Sequence, residues 1–252
     1  MASTSETGHA KNVANFETLI SFCAGYGATY NPSKTNLKVT ALQTQLASCK
    51  ANIASVTTTS VAFNNATNAR MVAFEGLKKL STRLVNALDA TGATVQTVKD
   101  AKTVNAKVQG AKLTKADAGK TPATPIDPST PVTETDKTIS SSQQSYSNLI
   151  EHFSKMVTIL SAEPAYVPNE NDLKVVTLNT LLTNLRNTNT GVVNAYTTVS
   201  NSRVSRDQSL YNTTNGLCET AKEVKMYIKS VFGASSLQYK QVSGIEFKAR
   251  KI

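Results

Sequence analysis

Apolar residues along this chain return at alternating steps of three and four, the spacing that puts one face of a helix against its neighbours. Val39, Leu42, Leu46, Cys49, Ile53 and Val56 form the first such frame, which runs on through Ser60, Phe63, Thr67, Arg70, Phe74, Leu77, Ser81, Leu84 and Leu88. An unbroken helix over that span would be about 75 Å long. Its middle is rich in poor helix formers, Thr57-Thr58-Thr59-Ser60 and Asn64-Asn65-Ala66-Thr67-Asn68. Such residues favour turns and caps, so a continuous helix and a hairpin both stay open. A second frame takes in Val175, Leu178, Leu182, Leu185, Val192, Tyr196, Val199, Arg203, Arg206 and Leu210, and stumbles at Asn212-Thr-Thr-Asn-Gly216. A third, Leu217, Ala221, Val224, Ile228 and Val231, stops at Gly233, a natural C-terminal helix signal. Shorter helices are expected before each long one, about Asn12 to Tyr26 and Ser141 to Leu160. Only Ile245 to Phe247 has any strand character.

The two long frames are related. Tyr30-Asn-Pro32 followed by Leu37-Lys38-Val39, Leu42, Thr44 and Leu46 recurs as Tyr166-Val-Pro168, Leu173-Lys174-Val175, Leu178, Thr180 and Leu182. Farther on, Gly92-Ala93 with Val98-Lys99 matches Gly233-Ala234 with Tyr239-Lys240, a few residues being inserted in the second copy. Between the copies, Pro122, Pro125, Pro128 and Pro131 punctuate a polar stretch with too little apolar surface to order itself. The expected organisation is all-α, two tandemly duplicated, elongated helical bundles with long heptad-patterned helices. An N-terminal repeat unit at 1–110 and a C-terminal one at 142–252 are joined by a Pro/Thr-rich linker at 111–141. Two copies do not make a solenoid.

Composition narrows the function classes. The 252 residues include 34 Thr, 24 Ser and 21 Asn, aromatics are 6% and Trp is absent. Small and hydroxylated side chains suit thin helical seams better than an aromatic-walled pocket. No Walker A, GxGxxG, GxSxG, HExxH or CxxC pattern occurs, so nothing specifies a cofactor, a metal or a catalytic set. His9 is read as part of a polar tail and His152 as a surface or half-buried helix residue. Glu170 and Asp172 precede the second long helix, where negative charge favours the helix N-terminus. Cys23, Cys49 and Cys218 fall among apolar helical positions and read as buried free thiols. With no secretory signal and no apolar run long enough to span a membrane, a cytoplasmic location is expected.

The net charge of +10 raises nucleic acid or another polyanion as a partner. The excess is dispersed, however, with 11 basic against 5 acidic residues in 1–110 and 12 against 8 in 142–252. Lys78, Lys79 and Arg83, and Lys222, Lys225 and Lys229, are the candidate polyanion contacts. Arg70, Arg203 and Arg206 interrupt apolar frames and are candidates for fixing register at a polar seam. Tyr30, Pro32, Tyr166 and Pro168 stand just before the two long helices, where a ring with a polar tip is a candidate for an interface, the alternative being a staple of the entry loop against its own bundle.

The repeated Tyr-x-Pro-x4-Leu-Lys-Val segments, SSSQQSYSNLI and FGASSLQYKQVSG together resemble an uncharacterised family of bacterial hypothetical proteins over nearly the whole chain. The resemblance implies the duplicated helical layout and brings no activity, substrate or site residue. The reading reached from the sequence is a non-enzymatic structural or interaction protein whose partner is itself. A basic module for polyanions is the alternative, and no membrane association is expected.

Overall fold

A computed structural model describes residues 4–110 and 144–250, so the expected linker at 111–141 lies outside the described residues. The helices are α1 (Thr4–Gly25), α2 (Val39–Phe74), α3 (Leu77–Asp89), α4 (Val95–Gln109), α5 (Tyr146–Ala162), α6 (Val175–Tyr211), α7 (Leu217–Phe232) and α8 (Leu237–Ser243). The described residues contain no strand, and Ile245 to Phe247 is irregular.

The Thr/Asn-rich middle of α2 is helix, which removes the hairpin alternative. Hydroxyls there turn back onto their own helix: Thr59 donates to the Ser55 carbonyl at 2.8 Å, and on α6 Thr188 and Thr198 donate to Asn184 and Asn194 at 3.0 and 2.9 Å. A threonine satisfied in this way no longer competes with the helical backbone bonds. The first frame does break, but later than the threonines suggest. Gly76 has φ +78°, a conformation that only glycine adopts without strain, and α3 restarts at Leu77. The second long helix ends where its frame stumbles, α7 restarting at Leu217 and stopping at Gly233.

By contacts the chain forms two compact units, residues 1–65 with 194–252 (unit 1) and 66–193 (unit 2). These do not coincide with the sequence halves 1–110 and 142–252. The reason lies in the long helices: α2 contributes residues 39–65 to unit 1 and 66–74 to unit 2, while α6 contributes 175–193 to unit 2 and 194–211 to unit 1. Unit 1 packs Phe16, Leu19, Cys23, Leu42 and Leu46 against Leu210, Leu217, Val224, Ile228 and Val242. Unit 2 packs Leu77, Leu84, Leu88 and Val98 against Phe153, Met156, Leu160, Leu178 and Leu182. At roughly 1.5–3 kcal/mol per buried large apolar side chain, these cores dominate the folding energy of each unit.

The two tyrosine segments that match in sequence make the same local hydrogen bond. The Tyr30 hydroxyl donates to the Leu37 carbonyl at 2.8 Å, and the Tyr166 hydroxyl to the Leu173 carbonyl at 2.9 Å. Phe16, Leu19, Ile20 and Cys23 of α1 are buried as Phe153, Met156, Val157 and Leu160 of α5 are. Gly76 and Gly216 each stand immediately before a buried leucine that opens the next helix, although their backbones differ, φ being +78° at Gly76 and −68° at Gly216.

Candidate interaction surface

Between Lys50 and Arg70, and again between Arg186 and Arg203, the sequence holds no charged residue. The parts of these stretches in unit 1, residues 51–65 of α2 and 194–202 of α6, run antiparallel. Cys49 Sγ lies 3.6 Å from the Ser209 carbonyl oxygen, Ser55 Oγ 3.4 Å from Ser202 Oγ, and the Phe63 and Tyr196 rings are 5.9 Å apart. Val56 of α2 and Val199 of α6 are buried in unit 1, and no residue of α2 beyond Val56 is buried. Past them the pair exposes side chains that a core would normally take, Val61 at 54% and Tyr196 at 59% exposure. The result is a pair of uncharged helical segments bearing hydroxyls, amides and a few exposed apolar groups. Near it, Asn36, Thr44, Gln45, Ser48, Gln208 and Asn212 line an open groove of about 580 Å³, also without a charged group.

The two tyrosines are not part of any exposed face, although Asn31 and Val167 beside them are exposed. Tyr30 and Tyr166 are buried, each in its own unit and each tied by its hydroxyl, Pro32 is buried and Pro168 half-buried. Burial raises the Tyr166 hydroxyl to about 12 and Tyr30 higher still. The rings staple the entry loops of α2 and α6 instead of offering contact area, which corrects the interface expected there.

Of the seam arginines, Arg206 is buried and ion-paired with Asp207 at 2.8 Å, whereas Arg203 is exposed. Arg70, half-buried in unit 2, donates to Asn189 Oδ1 at 3.1 Å and stacks 4.1 Å from the Tyr146 ring centroid, with its Nε unpartnered. Most of the basic candidates have internal work. Arg83 pairs with Asp172, Lys222 with Glu219 at 2.7 Å, Lys78 donates to the Gln109 carbonyl at 3.2 Å, and Lys225 donates to the carbonyls of Ser243 and Ile245. Lys229 sits 5.8 Å from the Tyr239 ring, and Lys79 is exposed. Lys78, Lys79 and Arg83 belong to α3 in unit 2 and Lys222, Lys225 and Lys229 to α7 in unit 1, so the six are divided between two helices. Asp172 faces Arg83, which holds its carboxyl below the usual range.

The polar-tail expectation for His9 is corrected. His9 is fully buried in α1, its Nδ1 2.6 Å from the Tyr211 hydroxyl, and Asn12 clasps the backbone of Lys248 with both ends of its amide, at 2.9 and 3.0 Å. The signal was present, since His9, Asn12 and Phe16 continue the α1 frame upstream by steps of three and four. The three cysteines are free and buried, and burial pushes Cys23 and Cys218 up to about 11 and Cys49 upward. They stay protonated near neutrality.

His152 is buried in α5 with neither ring nitrogen hydrogen-bonded. Burial lowers its pKa from 6.5; Lys107 of α4 and Lys155 of α5 push the same way, against Glu151. The neutral ring is therefore favoured in the folded state and the proton in the unfolded one. Stability is unaffected above about pH 6.5 and falls as pH drops below it. Thermal melting between pH 7.5 and 5 should show this decline, and His152→Leu should flatten it; an equal slope in both proteins would remove His152 as the cause.

Among the described residues no cluster of three or more His, Cys, Asp or Glu could hold a metal, and no helix is long and apolar enough to cross a membrane. No family model, curated protein or solved structure matches the chain.

Proposed function

We propose that this is a non-enzymatic structural or interaction protein that self-associates through the uncharged face of α2 and α6 in unit 1. The observation that carries the reading is the coincidence of missing charge with unspent apolar surface. Two copies of a chain with net charge +10 repel each other over most of their surfaces, and contact costs least where neither copy presents a charge. On these uncharged segments Tyr196 of α6 and Val61 of α2 each stand more than half exposed, and tyrosine supplies large area with a polar tip. Threonine and asparagine around them can hydrogen-bond across a homotypic contact. The polyanion alternative draws less support, because its candidate lysines and arginines are largely engaged within their own units. The same reading takes the chain as a duplicated helical unit, supported by the twin tyrosine staples and the matching buried positions of α1 and α5.

Tyr196→Lys and Val61→Lys test the face. Both positions are exposed enough to accept lysine without unfolding, so helicity and melting should stay at wild-type values. Sedimentation equilibrium should show the variants dimerising at least tenfold more weakly. Wild-type association in both would show that the contact lies elsewhere.

A further inference from the structure

We infer that residues 1–110 and 144–250 are obligate non-covalent partners, each half supplying part of both cores, so that the complementary half of a second copy is the partner that either half fits. The inference takes the repeat halves from the duplicated-unit reading but stands independently of the self-association face.

The hydrophobic core of unit 1 is shared across the halves. The first half supplies the α1 and α2 faces with Phe16, Leu19, Leu42 and Leu46, and the second supplies Leu210, Leu217, Val224 and Ile228. Around that core the polar contacts also cross from one half to the other. His9 meets Tyr211, Asn12 holds the Lys248 backbone in both directions, the Tyr26 hydroxyl donates to the Gln238 carbonyl at 2.9 Å, and Lys34 pairs with Glu223 at 2.6 Å. Aromatic contacts do the same, Tyr30 against Tyr227 at 5.3 Å and Phe16 against Phe247 at 6.5 Å.

Unit 2 repeats the arrangement with the roles reversed. Leu77, Leu84, Leu88 and Val98 come from the first half, Phe153, Leu178 and Leu182 from the second. Phe74 packs on Tyr146 at 4.7 Å, and Arg70 and Arg83 reach Asn189 and Asp172.

A half on its own would leave one face of each core open to water. With about 1.5–3 kcal/mol for each large apolar side chain so exposed, separation without unfolding is not an accessible state. This is the energetic character of an obligate subunit interface, a core cut in two. Nothing in these contacts depends on the peptide connection between the halves. A half from another copy makes the same bonds, which is the condition for exchange between chains.

The test starts from the folded full-length protein with a protease recognition sequence inserted between Pro125 and Ile126. After cleavage, followed on a denaturing gel, the mass of the native particle is measured by light scattering on a sizing column. The expected result is one species at the mass of the uncut chain, holding both fragments one to one. Two half-mass species would overturn the inference. Cleaved protein is then mixed with a 15N-labelled cleaved sample, unfolded and refolded. Native mass spectrometry should show particles of mixed label at statistical abundance, and their absence would overturn exchange with a second copy.

Discussion

Leu46→Asp should strip slow hydrogen exchange from α7 and α8 as well as from α1, and Leu182→Asp should strip it from α3 and α4 as well as from α5. Each leucine is buried in its unit's core, Leu46 in one cluster with Leu217, Val224 and Ile228 of α7, and Leu182 in one with Leu77, Leu84 and Leu88 of α3. Aspartate there forfeits the packing of a large side chain, about 2–5 kcal/mol. It also buries a carboxyl group with no partner, adding several kcal/mol or forcing its protonation. Against a total stability of roughly 5–15 kcal/mol, either change is enough to open the unit that contains it. The position of the damage is the informative part. Amides lost only within residues 1–110 for Leu46→Asp, or only within 144–250 for Leu182→Asp, would mean that each half keeps its own core.

Gly216→Ala should destabilise the corner between α6 and α7 by about 1–3 kcal/mol, the range for overpacking a tight site. Torsion is not the cause, since Gly216 has φ −68°, which alanine adopts freely. Space is the cause: an added Cβ would lie 2.5 Å from the Asn212 nitrogen and 2.6 Å from its carbonyl oxygen. These are backbone atoms of a turn already closed by Gly216 N–H donating to the Asn212 carbonyl at 2.9 Å and Thr214 N–H donating to the Asn212 side chain at 2.8 Å. They cannot swing aside as a flexible side chain would. Gly191 is the opposite case, since it lies inside α6 and a Cβ there meets nothing within 4 Å. Gly191→Ala should therefore raise the melting temperature, by the equivalent of about 0.5–1 kcal/mol. A destabilised Gly191→Ala or an unaffected Gly216→Ala would contradict this reading of the two glycines.

Much of the helical framework was legible because apolar spacing directly reports which face of a helix is covered. Leu42, Leu46, Leu178 and Leu182 are buried as their frames require, and Asn212 to Gly216 breaks the second long helix as its composition suggests. Spacing does not report what covers the face. Leu46 looks the same in sequence whether it meets α3 of its own half or α7 of the other, so the composition of the two units could not be read. The Thr57–Ser60 segment left two readings open for a different reason: a threonine hydroxyl can end a helix or turn back onto it, and only the surrounding packing selects between these. Tyr30 and Tyr166 carry the polar-tipped ring of an interface residue, yet that same hydroxyl reaching a nearby carbonyl makes them internal staples. The uncharged stretches were visible as strings of letters. Their significance as a face required knowing that residues 51–65 and 194–202 pair within one unit, leaving Val61 and Tyr196 outside its core.

Sedimentation velocity of the wild-type protein over a hundredfold concentration range, at low and at moderate salt, tests the proposed self-association most directly. Contact through an uncharged face between like-charged copies should give a sedimentation coefficient that rises with concentration, and salt should preserve or strengthen the rise by screening the repulsion. A single monomeric species at every concentration and both salts would contradict it.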